Sequence, residues 1–227
     1  MLKAVLFDLD GTLLDLDGDA FLEDYVKQLG QFMEPWIPAE KFQEALWAAA
    51  VGALAQSHLG RSNRFVLIES LSSTLSVAST ELWARIDQFN RSNAHHVLPG
   101  GQPTPGARRA VETARAHGLA VALATTPIYD LPVVQERLRR GHLDDFSWDL
   151  IATDQFFSTK PYPDYFNEVA ERLGIEPGEC LMVGDDAFND LSARAVGMST
   201  FYVGPPMGGL DVGPRGSLHD LSFLWQD

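Results

Sequence analysis

The chain has 227 residues, enough for one large domain or for a core domain with a second one inserted. Its hydrophobic fraction of 45% and charged fraction of 21% are typical of a globular protein and argue against a disordered or fibrous one. The formal net charge of -14 argues against nucleic acid or an anionic membrane as the main partner. The single cysteine, Cys180, excludes an internal disulfide framework and a cysteine-rich metal site.

The sequence also bears on where the protein acts. No apolar run approaches the roughly 18 residues that a membrane-spanning helix needs. The N-terminal residues lack the cationic stretch and long apolar run of a secretion signal. We therefore expect a cytoplasmic protein that does not bind membranes. The negative charge is compatible with a small anionic ligand, because a metal ion and one lysine can reverse the field locally.

The chain opens with an apolar run, Ala4-Val5-Leu6-Phe7, that predicts a buried strand and stops abruptly at Asp8. From Asp19 to about Asn93, apolar residues recur at helical spacing with no strand pattern between them. Asp19 is predicted to be the N-cap of the first of four helices. We therefore expect a helical bundle inserted after the first strand.

Helices and strands alternate after a turn-rich hinge at residues 99–106. The predicted helices cover residues 106–116, 132–140, 163–173 and 187–196, and the predicted strands cover residues 119–124, 150–152, 180–184 and 200–203. Repeated units of this length predict an α/β fold, in which a parallel sheet carries helices on both faces.

Polar side chains follow the predicted strands at the point where each strand ends. They are Asp8 and Asp10 after the first strand, Thr125 and Thr126 after the second, Lys160 beyond the third, and Asp185, Asp186 and Asp190 after the fourth. Taken alone, the first two aspartates are also compatible with the cap of a turn or helix. Because the carboxyl ends of parallel strands meet at one edge of a sheet, we expect all these side chains to share a crevice.

This set of side chains indicates metal-assisted phosphoryl transfer. Crowded carboxylates repel one another unless a cation lies among them, and ligands that are all oxygen atoms favour Mg²⁺. One aspartate can attack a phosphoryl group to form an aspartyl-phosphate, and a second can protonate the leaving oxygen and then activate water. A lysine and a hydroxyl can hold the phosphoryl oxygens as charge develops on them.

The same residues, in this order, resemble the four motifs of the haloacid dehalogenase superfamily. The motifs are Asp8-Leu-Asp10-Gly-Thr12, Thr125, Lys160-Pro161 and Gly184-Asp185-Asp186-Ala-Phe-Asn-Asp190. The resemblance extends from residue 4 to about residue 203, and its first and last motifs are the specific ones. It implies a Rossmann-like parallel-sheet core domain, residues 1–16 and 97–227, with an inserted all-helical cap domain of the C1 type, residues 17–96.

The resemblance also implies roles for the carboxylates, position by position. Asp8 would be the nucleophile and a ligand of Mg²⁺. Asp10 would be the general acid and base, and its main-chain carbonyl would bind the metal. Asp185 would be a further metal ligand, while Asp190 and Asp186 would support the metal or Lys160.

The phosphoryl group would be bound by Thr125 and Lys160, and the lysine would also neutralise the charge of the nucleophile. The next residue along the chain departs from the family pattern, because Thr126 stands where the family often has Asn and is followed by Pro127. The replacement is expected to alter the local hydrogen bonds, with Thr126 offering its main-chain N–H to the phosphate.

The predicted activity is Mg²⁺-dependent hydrolysis of a small phosphorylated metabolite, a phosphomonoester, by a monomer or homodimer. Members that cleave carbon–halogen bonds usually lack the second aspartate of the first motif, so Asp10 favours phosphate chemistry. A phosphomutase of the same fold is an alternative that product analysis on sugar phosphates separates. A non-catalytic binding protein is the other alternative, and it would be expected to have lost at least one of Asp8, Asp10, Lys160 and Asp185.

One basic loop, residues 57–64, lies between the predicted helices of an acidic protein. Arg61 or Arg64 could therefore reach a second anionic group of the substrate when the cap closes over the site. A solvated loop between two helices is the simpler interpretation of the same residues.

Overall fold

The computed structural model describes residues 1–58, 60–209 and 211–225, with side chains described up to residue 221. The strands are β1 (Ala4–Phe7), β2 (Leu14–Asp15), β3 (Gln102–Pro103), β4 (Ala120–Leu123), β5 (Leu150–Ile151), β6 (Cys180–Gly184) and β7 (Ser199–Tyr202). The α-helices are α1 (Gly18–Met33), α2 (Ala39–Leu54), α3 (Asn63–Leu75), α4 (Ser79–Asn93), α5 (Ala107–Ala116), α6 (Leu131–Arg140) and α7 (Pro163–Leu173).

The described residues form a five-stranded parallel sheet with the strand order β5-β4-β1-β6-β7. Strand β1 lies at the centre, and the chain first adds strands on one side of it and then on the other. Ligands of such sheets bind outside the carboxyl ends of the strands, where the order reverses. The predicted α/β fold class is therefore confirmed, and the reversal places the candidate site beside β1.

Strand β1 shows why the sheet is buried on both faces. Val5 and Phe7 pack into one apolar cluster, and Ala4 and Leu6 pack into a second one on the opposite face. The first cluster includes residues of α1, α5 and α6, whereas the second includes residues of α7. Because side chains of a strand alternate between faces, a continuous apolar run needs a cover on each side.

The helical segment, residues 17–96, contains α1 to α4 and a short 3-10 helix at Ala94–His96. The segment begins after β2 and ends before β3. These two strands pair with each other in antiparallel register and form a separate two-stranded sheet. The predicted cap of α1 is wrong by two residues, because the Asp17 carboxylate accepts hydrogen bonds from the main-chain N–H groups of Asp19 and Ala20. The division of the chain into a core domain and a cap domain stays a prediction.

The predicted helix at residues 187–196 is also wrong. The chain forms turns at residues 187–190 and a 3-10 helix at Leu191–Val196. The Asp186 carboxylate accepts hydrogen bonds from the main-chain N–H groups of Phe188 and Asn189, and this side-chain cap favours a tight turn over a regular helix at this point.

Across the described residues, every helix is too short or too polar to span a membrane.

Candidate active site

The carboxyl ends of β1, β4 and β6 open into one cavity of about 640 Å³. The predicted site residues that line it are Asp8, Asp10, Thr125, Thr126, Lys160, Asp185 and Asp186. Leu22 and Leu54, from helices α1 and α2, also line it, so the helical segment forms part of its wall. The sheet topology therefore brings together motifs that lie more than a hundred residues apart in the sequence.

Lys160 lies between two carboxylates at the base of this cavity. Its Nζ donates hydrogen bonds to Oδ1 of Asp8, at 2.7 Å, and to Oδ1 of Asp190, at 2.6 Å. Burial by itself would lower the pKa of Lys160, but Asp190 and Asp8 outweigh it and the pKa is raised. The lysine therefore stays protonated, and it fixes Asp8 while offsetting part of the local negative charge.

A group of three carboxylates could hold a metal ion. One oxygen each of Asp8, Asp185 and Asp190 lies within 4.8 Å of the others. Thr12 donates a hydrogen bond of 2.8 Å from its hydroxyl to Oδ1 of Asp185, which leaves Oδ2 of that carboxylate for a cation. Burial and the charge of Asp8 raise the pKa of Asp185, as expected of a carboxylate placed beside another one.

Asp190 has a different role from the other two carboxylates. It is completely buried, its Oδ1 accepts from Lys160, and its Oδ2 accepts from the main-chain N–H of Asp186 at 3.0 Å. Burial raises the pKa of Asp190 to about 7. With both oxygens hydrogen-bonded, Asp190 is suited to hold Lys160, and Asp8 and Asp185 are better placed as metal ligands.

The remaining predicted residues lie around this centre. Thr125 is buried, and its main-chain carbonyl accepts a hydrogen bond of 2.9 Å from the Tyr165 hydroxyl. Thr126 is half-buried at the cavity wall. The exposed Asp186 uses its carboxylate for the N–H groups of its own loop, so that it supports the site through its main-chain bond to Asp190.

Asp10 also lines the cavity, and its Oδ2 accepts a hydrogen bond from Nη1 of Arg137. Burial raises the pKa of Asp10, while Arg137 opposes the rise and Asp8 adds to it. A carboxyl group whose pKa is raised can carry a proton nearer to neutral pH, which suits a general acid.

Arg137 and Thr12 were not among the predicted site residues. Thr12 lies inside the first motif, but its hydrogen bond to Asp185 spans 173 positions of the sequence. The sequence marks Arg137 as unusual, since it lies at helical spacing among the apolar residues Val133, Val134 and Leu138, which are buried. A charged residue on the apolar face of a helix indicates a buried partner, but not which one.

Arg61 and Arg64 are not among the residues that line the cavity, and both side chains are paired elsewhere. Arg61 pairs with the exposed Glu69, and Arg64 pairs with the buried Asp154 and stacks on Trp83 at 3.9 Å. The segment is exposed at Gly60 and Arg61, as in a solvated loop, but its ends are attached to the rest of the protein, because the main-chain N–H groups of His58, Asn63 and Arg64 donate to carbonyls of residues 154–157.

Comparisons with known proteins agree with this fold and these motifs. The model of the haloacid dehalogenase-like hydrolases matches residues 2–197. Phosphoglycolate phosphatase of Nitrosospira multiformis is 28% identical over 208 residues, which are 89% of this chain and 83% of that protein. The bifunctional riboflavin kinase/FMN phosphatase of Arabidopsis thaliana is 28% identical over 88% of this chain, which spans only about half (48%) of that relative.

A solved structure extends the likeness to the whole chain. The crystal structure of 2-haloacid dehalogenase from Pseudomonas syringae pv. Tomato DC3000 superposes with a TM-score of 0.63 at 21% identity, and the match covers 100% of both chains. At this level of identity the likeness concerns the fold.

Proposed function

Because this chain belongs to the haloacid dehalogenase-like hydrolases, we propose that it is a phosphatase that hydrolyses a small phosphomonoester through a phosphoryl group on Asp8. The observation that carries the proposal is the placement of Asp8. Its carboxylate lines the cavity, is fixed by Lys160 and lies beside Asp185. Curated relatives whose names are those of phosphatases support the same reaction class.

The proposed nucleophile is a carboxylate that is held at one oxygen. The ammonium group of Lys160 holds Oδ1 of Asp8, and this leaves Oδ2 to attack phosphorus. Lys160 would also face the phosphoryl oxygens and stabilise the charge that develops on them. Thr125 and the main-chain N–H of Thr126 complete the binding of these oxygens.

The donor set fits Mg²⁺. Asp185 keeps Oδ2 for a cation, and Oδ1 of Asp8 has a second lone pair for it beside the hydrogen bond from Lys160, so that Oδ2 of Asp8 stays the nucleophile. The main-chain carbonyl of Asp10 is the third proposed ligand. All three are hard oxygen donors, which Mg²⁺ prefers together with several waters. Bound there, Mg²⁺ would reduce the repulsion between the carboxylates and the incoming phosphate.

Asp10 would move the protons of the reaction. In the first half, an oxygen of Asp8 bonds to phosphorus while the ester P–O bond breaks, and protonated Asp10 gives its proton to the leaving oxygen. In the second half, the Asp10 carboxylate takes a proton from water as the water oxygen attacks the phosphoryl group. Asp8 then leaves phosphorus and inorganic phosphate is released.

The first experiment measures phosphate release from an aryl phosphate by the wild type and Asp8→Asn, with Mg²⁺ and with a chelator. We expect release by the wild type that needs Mg²⁺, and a loss of at least ~10³-fold in Asp8→Asn because an amide is a poor nucleophile. Mass spectrometry of the quenched wild type should show a phosphoryl group on the peptide that contains Asp8. Asp144→Asn, an exposed carboxylate outside the cavity, is the matched control.

The proposal has clear failing outcomes. If Asp8→Asn hydrolysed the ester as fast as the wild type, Asp8 would not be the nucleophile. If the folded wild type released no phosphate from a panel of small phosphomonoesters with Mg²⁺, the chain would not be a phosphatase. Transfer of the phosphoryl group within a sugar phosphate, in place of its release, would indicate a phosphomutase.

A further inference from the structure

Arg137 is a buried cation that donates a hydrogen bond to Asp10 of the candidate site. Its side chain is 1% exposed, on the face of α6 that packs into the apolar core. A buried guanidinium carries a large desolvation penalty unless it is well paired. Its Nη1 donates to Oδ2 of Asp10, whereas its Nε and Nη2 have no hydrogen-bond partner among the described residues. Asp10 is therefore the one side-chain hydrogen-bond partner of the guanidinium among the described residues.

Two aromatic rings hold the guanidinium in place. It lies 4.5 Å from the ring centroid of Tyr129 and 5.1 Å from that of Phe21, and these two rings meet edge to face. Tyr129 belongs to the loop that carries Thr125, and Phe21 belongs to α1 of the helical segment. Contact with two rings that lie at 81° to each other limits rotation of the guanidinium and thus the direction of its N–H bonds.

The pairing is the contact that orients Asp10. Among the described residues, Arg137 supplies the one side-chain hydrogen bond of Asp10, and Oδ1 has no partner. A carboxyl group with a single anchor can rotate as soon as the anchor is lost. A displacement of about 1 Å at a reacting group can cost about 10²-fold in rate.

We propose that Arg137 is a positioning residue that holds the carboxyl group of Asp10 in the orientation from which it protonates the leaving oxygen. This inference rests on the proposed function, in which Asp10 is the general acid. It makes a specific kinetic claim, because proton donation matters most when the leaving group is a poor one. An alkoxide leaving group needs the proton, whereas a nitrophenolate leaves without it.

The experiment compares the hydrolysis of β-glycerophosphate and p-nitrophenyl phosphate by the wild type, Arg137→Met, Arg137→Lys and Asp10→Asn. We expect Arg137→Met to lower kcat/KM on the alkyl ester by about 10²-fold and on the aryl ester by less than about 10-fold. The comparison uses kcat/KM because it reports the steps up to departure of the leaving group and not the later step in which Asp10 activates water, which is the same for both esters. Arg137→Lys keeps the charge but not the planar fork, so it should show a smaller selective loss. Its ratio of alkyl to aryl rates serves as the test if Arg137→Met does not fold.

Two further proteins distinguish positioning from general loosening. Arg140→Met removes another arginine of the same helix whose side chain is largely buried, and which bonds to Glu136 and to main-chain carbonyls of residues 94–98 and not to Asp10. It should change both rates by similar, small factors. In the Asp10→Asn background, Arg137→Met should not change the ratio of alkyl to aryl rates any further.

Equal losses on both esters, no loss, or the same selective loss in Arg140→Met would overturn the role of Arg137. The failure of the proposed function looks different. If Asp10→Asn itself showed no selective loss on the alkyl ester, Asp10 would not be the general acid, whatever Arg137 does. If Asp10→Asn showed that loss and the Arg137 variants did not, the general acid would stand and only the positioning role would be wrong.

Discussion

The guanidinium of Arg64 and the carboxylate of Asp154 form two parallel hydrogen bonds, of 2.7 and 2.9 Å, between the helical segment and the loop after β5. Asn63, the neighbour of Arg64, donates from its side-chain amide to the carbonyls of Pro127 and Ser158. These two carbonyls lie in the loops that carry Thr126 and Lys160. The start of α3 is therefore attached to two loops of the candidate site.

Replacement of Arg64 by Met should lower the free energy of unfolding by about 2 kcal/mol, since it removes two charge-assisted hydrogen bonds and leaves the Asp154 carboxylate buried and unpaired. Burial already raises the pKa of Asp154, and Arg64 opposes that rise. Urea denaturation measures the change. The double variant with Asp154→Asn should recover part of the loss, because it removes the unpaired charge.

Arg61→Met is the control for this prediction, because Arg61 lies in the same loop and pairs with Glu69 on the surface. Exposed pairs of this kind contribute about 0–1 kcal/mol. An equal loss of stability in both variants would show that the loop, and not the pair with Asp154, sets the effect.

Thr12→Val should weaken metal binding while keeping the shape of the side chain. The hydroxyl of Thr12 holds Oδ1 of Asp185, and loss of such a partner of a metal ligand typically costs about 10–100-fold in affinity. We expect the Mg²⁺ concentration for half-maximal phosphatase activity to rise by about that factor.

Thr200→Val is the matched control, since Thr200 is also buried and its hydroxyl accepts from Arg194 outside the cavity. An unchanged Mg²⁺ requirement in Thr12→Val would mean that Asp185 does not depend on Thr12 to bind the metal.

The sequence predicts the sheet, and the meeting of the acidic residues at one cavity, because both follow from local pattern. The run Ala4-Val5-Leu6-Phe7 is apolar at every position, which a strand needs only when both faces are covered. Asp8 then marks the end of that strand. A parallel sheet brings the carboxyl ends of its strands to one edge, and the residues that follow each strand therefore lie close together.

Other features were out of reach of the sequence because they depend on distant partners. Asp17 and Asp19 are equally good caps of a helix, and the choice depends on where the chain leaves its extended path after β2. Arg137 was recognisable as a misfit on an apolar helix face, but Asp10 lies 127 positions away. The turn at residues 187–190 was hidden because Asp186 competes with the helix for main-chain N–H groups.

Gly184→Ala should disturb the lysine at the centre of the site. A Cβ at residue 184 would overlap the carboxylate of Asp190, which is buried and holds Lys160. We expect a loss of stability of about 1–3 kcal/mol and a loss of activity of about 10²-fold. Phosphate release and thermal unfolding measure the two effects.

Gly52→Ala provides the opposite expectation in the same protein. Gly52 lies inside α2, and a Cβ there would meet no atom within 4 Å. This variant should gain about 0.5–1 kcal/mol of stability and keep its activity. If Gly184→Ala were as active as Gly52→Ala, the contact between residue 184 and Asp190 would not be needed for catalysis.

Asp130→Asn should stabilise the protein at neutral pH. Asp130 is buried at the N-terminus of α6, and burial raises the pKa of its carboxyl group. Between the unfolded value of about 3.8 and this raised value, the folded state binds more protons than the unfolded one, so stability falls as the pH rises. The asparagine side chain can still cap α6 but carries no charge.

The measurement is urea denaturation of the wild type and Asp130→Asn at pH 4 and pH 7. The advantage of Asp130→Asn should be larger at pH 7, after the wild-type carboxyl group has ionised. An advantage that is constant with pH, or larger at pH 4, would contradict the raised pKa. Asp144→Asn, at an exposed position, is the control for the loss of one surface carboxylate.

The cavity should discriminate against substrates with a second anionic group. Asp15, Asp17 and Asp19 line it in addition to the acidic residues of the candidate site, and Lys160 is the one cationic side chain among the described residues of its wall. The positive charge of Lys160 is already balanced by Asp8 and Asp190, since Nζ of the lysine donates a hydrogen bond to each of these carboxylates. Two charges 4 Å apart interact by about 1 kcal/mol in water, so each unfavourable contact can cost about 5-fold.

We therefore expect kcat/KM to fall from phosphoethanolamine to 2-hydroxyethyl phosphate to phosphoglycolate, by about 5-fold at each step. The three esters have similar size and differ in the charge of the group beyond the phosphate. The double variant Asp15→Asn/Asp19→Asn should make the kcat/KM values of the three esters more alike. Asp17 is left in place because it caps α1. High salt should make these values more alike too, since exposed charges are screened. Phosphoglycolate as the best of the three would show that the carboxylates at the mouth do not select the substrate.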